Sequence, residues 1–513
     1  MAVEPFYCGF CRAFHCAFYR AFHRSLRMRL QCAAWLAGLA LAWCGAPAVA
    51  AGPDAAAAAH VLNRLAYGPK PGDIERVARG GVRRYIAEQL DPAFLAQPLP
   101  APLAARLAAL DTVHSPAGAV LGQFLAVRDM ARDETEQARD ARRAVLERIA
   151  RQAAEARLAR ALDSPRQLEE VLVDFWYNHF NVFSGKGVDR ALVASYERDA
   201  IRPHAFGPFR ALLGATATHP AMLHYLDNAA SRAGALNENY ARELMELHTL
   251  GVDEGYTQRD VTELARMLTG WSYNQRALVE RNETFRFDPR RHDQGGKRWL
   301  GRDIAPAGQA EGEAALDVLA MHPATARHVS AKLARYFVQD EPPPALVERM
   351  ARTWLAHGGD IRAVLRTLFD SEEFMAPAAR GAKFKTPYRY VLSAMRATAR
   401  GEGDDEGNQD AGAVNVAPDP FKPMLNALNA LGMPLYGCQT PDGYKNTEQA
   451  WLNPDALSRR IGYAASLAAS ADAAALQAGL GPTLSARTVA IVGASPASLR
   501  AAMLLGSPDF MQH

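Results

Sequence analysis

Apolar residues recur at three- and four-residue spacing along most of this chain, the period of a helix that buries one face. On that pattern helices are expected at 191–201, 205–214, 237–250, 257–269, 311–320, 323–338, 344–356, 359–370 and 383–399. Ahead of them, His60 to Leu90 reads as two short helices around a turn at Tyr67–Asp73, where Gly68, Pro69, Pro71 and Gly72 break the pattern. Gly122 to Leu162 is rich in Ala, Arg and Glu, with Leu146, Ile149 and Ala153 at helical spacing, and reads as one long helix with a solvated face. Ser164-Pro165-Arg166-Gln167 has the order of a capping box, with Ser164 as cap and Gln167 reaching back. The helix it opens runs into Asp174-Phe-Trp-Tyr-Asn-His-Phe180. Alternation of the strand type is confined to Thr284–Leu300, where Phe285 and Phe287 alternate ahead of Gly295-Gly296. The expected fold class is therefore mainly α, a multi-helix globular body with at most a small β-hairpin near 284–300.

The N-terminus departs from this pattern. Arg27 and Arg29 precede an apolar run from Ala33 to Trp43, and Ala48-Val49-Ala50 comes next, the order of a cleavable signal peptide. Cleavage is expected after Ala50, with Met28 an alternative start. The run is short of the roughly 20 residues that cross a bilayer as a helix. Residues 1–50 carry five Arg, one Glu and five of the six Cys, so residues 51–513 are nearly neutral and hold only Cys438. An internal disulfide is then impossible, and the balance of charge gives no footing for nucleic acid. The expected organisation is a signal peptide over 1–50, a main helical domain over 51–399, a polar linker or loop over 400–420, and a C-terminal helical region over 421–513. A chain of this length exceeds what one hydrophobic core usually organises, which predicts closely packed subdomains.

Several stretches carry a family likeness: His60-Val-Leu-Asn-Arg-Leu-Ala-Tyr-Gly68, Phe175-Trp-Tyr-Asn-His-Phe180, and His219-Pro-Ala-Met-Leu-His-Tyr-Leu-Asp227. The most specific is Asn237-Glu-Asn-Tyr-Ala-Arg-Glu-Leu-Met-Glu-Leu-His-Thr-Leu-Gly251, continued by Tyr256-Thr257, Asp260-Val261 and Leu268-Thr-Gly-Trp271. His292-Asp293, Leu300-Gly301 and Asp370-Ser371-Glu-Glu-Phe374 complete the series. In this order the residues resemble the large bacterial proteins grouped as domain of unknown function 1800 (DUF1800). The resemblance implies an exported, periplasmic or secreted helical protein, often encoded beside an exported sulfatase/phosphatase-like protein of the DUF1501 type, a possible partner. It implies no activity. The segment Gly437-Cys438-Gln439 to Gly443-Tyr444 departs from it, since a more Pro-rich run and a Gly-Trp pair are expected there.

Six side chains are candidates for chemistry. If Asn237 caps its helix, then Asn239, Arg242, Glu243 and Glu246 share one stripe, and Tyr240, Leu244, Leu247 and His248 the opposite apolar face. Glu243 and Glu246 are then either a carboxylate pair for proton transfer or metal binding, or the outer face of an ordinary helix with an Arg242–Glu246 ion pair. His248 is a hydrogen-bonded core group or a functional one facing a cleft, and His179, among aromatics, has the same two readings. His292 and Asp293 are the loop candidates for a divalent metal, with Lys297 close by. Thr257 and Asp260 read as a helix start, and Trp271 as a plug behind Gly270. There is no G-x-S-x-G, P-loop, H-E-x-x-H or dinucleotide fingerprint. Two function classes remain open: an accessory, partner-binding protein of envelope or extracellular polymer metabolism, and a hydrolase or metal-dependent enzyme with a Glu/His/Asp site.

Overall fold

The computed structural model describes residues 53–129, 135–252, 254–399, 421–469 and 471–513. The proposed leader (1–50) and linker (400–420) lie outside the described residues. Residues 51–513 form one compact unit, and its buried apolar side chains run together as one continuous core. Among the described residues the architecture is mainly helical, with two small antiparallel pairs of strands. Among the described residues no helix is long and apolar enough to cross a membrane.

Helices form where the spacing placed them: Gln309–Ala320, Pro323–Phe337, Pro344–Ala356, Ile361–Phe369 and Pro387–Ala397. Each buries the stripe its sequence supplies, as Ile361, Val364, Leu365 and Leu368 show. Their starts are set by side chains that take up free backbone N–H groups: Asp360 accepts from Ala363, Thr386 from Arg389 and His322 from Ala324. Thr257 caps the helix it was expected to start, and Asp260 closes a reciprocal box with it. Ser371 and Ser507 each cap a four-residue helix by accepting from Phe374 and Phe510 and donating back to Leu368 and Leu504.

Four details differ from the sequence reading. The segment 122–162 is split, with helices Ala117–Asp129 and Glu136–Asp163. Thr135 caps the second by accepting from Ala138, a local signal strong enough to begin a new helix. The box at Ser164 does not close, because Gln167 is buried and donates to the Ala161 and Ser164 carbonyls. His60–Leu90 holds three helices rather than two, since Gly81 at φ 90° separates Asp73–Gly80 from Val82–Gln89. The hairpin forms at Lys297–Trp299 with Arg302–Ile304, turning at Leu300-Gly301, while Arg286–Phe287 pairs instead with Trp271–Ser272. Burial of Trp271 and Trp299, not the Gly295-Gly296 turn, sets that register.

Two helices end in wide, π-type turns, Tyr196–Ile201 and Leu244–His248. The second lies in the most specific motif, and Thr249 Oγ1 donates to the Leu244 carbonyl at 2.6 Å, serving an oxygen the wide turn frees. The same turn changes the buried face to Tyr240, Ala241, Leu244, Met245 and His248, so Met245 takes the place expected of Leu247. The helix begins at Asn239, with Asn237 Oδ1 accepting from the Asn239 N–H at 3.0 Å.

Candidate functional site

Helix Gln167–His179, the turn Leu244–His248, helix Pro323–Phe337 and the loop 438–446 supply the groups of one region. His179 ends its helix walled by Phe175, Trp176, Phe180 and Phe209. Its Nε2 donates to the His248 carbonyl at 3.1 Å, and the two rings lie 6.0 Å apart. Both imidazoles are buried, and among the described residues His179 Nδ1 and His248 Nε2 have no partner. Burial, then the neighbouring Lys332, brings His248 down to about 3 and His179 well below the ordinary histidine range. His328, held through Nε2 against the Leu247 carbonyl at 3.3 Å, is lowered to about 4 for the same reasons. Lys332 is itself brought down to about 8 by burial, against the pull of Asp442.

Glu243 and Glu246 are half-buried one turn apart. Among the described residues neither carboxylate takes part in a hydrogen bond or ion pair. Arg242 does not bridge to Glu246; it donates to Glu238 at 3.3 Å and Gln258 at 2.9 Å. The Glu243 carboxyl is raised above the usual range, first by burial and then by Glu246, with Asp442 adding to the effect. An acid shifted in this way holds a proton closer to neutral pH, and two neighbouring carboxyls in unlike surroundings are the arrangement from which acid and base roles are divided.

Asp442 belongs to the loop that departs from the family pattern, and that loop is fastened by side chains of the Phe175–Phe180 motif and its neighbours. Asn178 accepts from the Tyr444 N–H at 2.7 Å and donates to the Tyr444 carbonyl at 2.9 Å, standing in for a strand. Asn181 donates to the Cys438 and Thr440 carbonyls at 3.0 and 2.9 Å, and the Tyr225 hydroxyl to Gln439 at 2.8 Å. Gly443 sits at φ 70°, where a Cβ would fall 2.3 Å from the Asn178 carbonyl oxygen. The loop can therefore lie this close only with glycine there.

The loop candidates are placed elsewhere, and their donor atoms are engaged within the protein. His292 Nδ1 meets the Thr269 carbonyl at 2.9 Å and Nε2 meets Glu311 at 3.1 Å, while Lys297 pairs with the other Glu311 oxygen at 2.6 Å. Asp293 is bound by Arg266 through two contacts of 3.0 Å, which holds its carboxyl below the usual range. Among the described residues no three His, Cys, Asp or Glu side chains are grouped so as to hold a metal ion. The six candidates thus divide: His179, Glu243, Glu246 and His248 share one region, and His292 and Asp293 form a separate braced corner. Sequence reasoning missed Asn178, Tyr225, His328, Lys332 and Asp442. One signal was available, since Lys332 has no acidic residue three or four positions away on its helix.

A recess beside this region is lined by Arg157, Asp174, Tyr177, Asn181, Tyr388 and Tyr436. Arg157 is spent on Asp174 at 2.6 Å and Glu197 at 3.3 Å, with its guanidinium over the rings of Tyr177, Tyr388 and Tyr436. That network reads as architecture, a buried cation fully paired and stacked.

No curated protein matches the chain, and no solved structure matches it. The match to the family described as "Protein of unknown function (DUF1800)" spans residues 60–512, nearly the whole chain, and so the order of motifs, the helical body and this match together place the protein in the DUF1800 family.

Proposed function

We propose that the protein is an exported one, periplasmic or secreted, and that it engages a polar substrate of envelope or extracellular polymer metabolism at the face carrying Glu243 and Glu246, with Glu243 as the proton-transferring group. The observation that carries this reading is the state of the two carboxylates: half-buried, adjacent and without partners among the described residues, with Glu243 shifted upward. Elsewhere the half-buried acids Glu169, Asp293 and Glu373 are each ion-paired. Groups so placed are candidates for a site because a fold gains nothing by burying an unpaired carboxylate for its own sake. Export is supported by the charge, apolar run and small-residue site of residues 1–50. Association with an exported sulfatase/phosphatase-like protein, the accessory reading, is supported by the family resemblance.

The test is a panel of hydrolytic substrates (glycosides, esters, phosphate monoesters) and saccharide ligands, with and without added divalent metal. Wild-type protein is compared with Glu243→Gln and Glu246→Gln, and unfolding midpoints are measured on the same samples. The expected result is one substrate class turned over by the wild type and slowed about 10²-fold or more in Glu243→Gln at an unchanged midpoint. Turnover or binding that survives both substitutions sinks the assignment.

A further inference from the structure

Around the junction of the turn after helix Pro53–Leu65 with helix Pro387–Ala397 and the segment 507–513, the core holds an unusual excess of cations. Arg64, Lys383, Lys385, Arg389 and Arg460 are all buried. Among the described residues only Lys383 meets a carboxylate there, that of Asp340. The others are met by neutral groups: Arg389 donates to the Asn63, Arg64 and Ala66 carbonyls, Arg64 to those of Val338 and Ala379, and Arg460 to that of Lys385. Carbonyl dipoles and ring faces solvate these charges without cancelling them, so the low-dielectric interior keeps a net positive potential. Burial together with this mutual repulsion lowers Arg64 to about 9 and Lys385 well below the ordinary lysine range.

Lys385 is the exceptional member. Its ammonium lies 4.0 Å from the centre of the Phe510 ring and makes no hydrogen bond or ion pair among the described residues. It lines a small cavity with Asn63, Gly68, Ser393, Phe510 and Gln512, which has room for about one occupant of the size of a water molecule. The carboxylate that borders this cavity, Asp509, accepts from the Ser485 N–H at 2.6 Å.

We propose that this cavity is a halide site, in which one chloride ion is held against the Lys385 ammonium and offsets the surplus charge of the cluster. A cavity of this size excludes phosphate and sulfate, and the positive charge of Arg389 and Arg460 around Lys385 favours a monatomic anion over a neutral water there. The ion would tie the 63–69 turn to the C-terminal segment, whose Gln512 already bridges to Phe384.

Thermal unfolding of the purified protein at fixed ionic strength tests this, with sodium gluconate replaced stepwise by sodium chloride or bromide. The midpoint is expected to climb saturably by a few degrees with either halide, as for any ligand that binds only the folded state, and not to respond in Lys385→Met. A wild-type midpoint that is the same in gluconate and chloride overturns the proposal, as does a phosphate response that exceeds the chloride one. Should Lys385→Met fail to fold, anomalous scattering from bromide-soaked wild-type crystals decides: a peak beside Lys385 Nζ supports the site, and its absence overturns it.

Discussion

His179 Nε2 donates to the backbone carbonyl of His248 across 3.1 Å, joining two motifs that lie 69 positions apart in the chain. Because a carbonyl only accepts, this contact fixes the proton of His179 on Nε2 and leaves Nδ1 as a bare acceptor. Both rings are enclosed and kept neutral.

Acid should therefore unfold this protein through its histidines. His60, His219 and His248 are each lowered to about 3 and His328 to about 4, against 6.5 in the unfolded chain. The unfolded state then binds more protons, so stability is complete above pH 6.5 and is lost as pH falls from there toward 3 to 4. Denaturant midpoints measured from pH 8 to pH 4 should fall steeply below pH 6, and His219→Gln should flatten part of the slope. A midpoint constant from pH 7 to 5 contradicts this.

Lys332 sets part of that depression. Replacing it by Met removes the charge that, after burial, does most to lower both His179 and His248. The imidazole titrations should then move upward in NMR, with His248 staying below 6.5 because burial is untouched.

Glu246→Gln should let the Glu243 carboxyl drop back toward 4.5, since repulsion from Glu246 is the second cause of its elevation. A carboxyl-carbon NMR titration reads this directly. Stability should change by less than about 0.5 kcal/mol, because no protein partner is lost.

Gly443→Ala should displace the 438–446 loop, as the added methyl meets the Asn178 carbonyl at 2.3 Å and φ is already 70°. A loss of about 2 kcal/mol or more is expected. Asn178→Ala should loosen the same loop, seen as faster hydrogen exchange at the Tyr444 amide, whose acceptor it removes.

Arg157→Met tests the neighbouring ionic core. It leaves Asp174 with the Tyr336 hydroxyl as its remaining donor and Glu197 with Arg202 and the Tyr436 hydroxyl, and should cost about 3 kcal/mol. An effect below about 1 kcal/mol would mean that Arg202 and the two tyrosine hydroxyls suffice for these carboxylates.

Local chemistry alone determined the helical body of this protein. Apolar spacing placed helices such as 311–320 and 323–338 almost to the residue, and Thr257 with Asp260 marked a helix start that needs no distant partner. The same spacing put Glu243 and Glu246 together, because residues three apart on a helix are neighbours in any fold. What tertiary structure decided is everything that depends on a partner far along the chain. It turned Arg242 toward Gln258 and away from Glu246, and it engaged His292 with Glu311. It brought Asp442 and Lys332 to one region, through contacts that Asn178 and Tyr225 make more than 200 positions away. Periodicity encodes which face of a helix is apolar; it holds no information on which other face will meet it, and that meeting is what separates a braced histidine from an unpaired carboxylate.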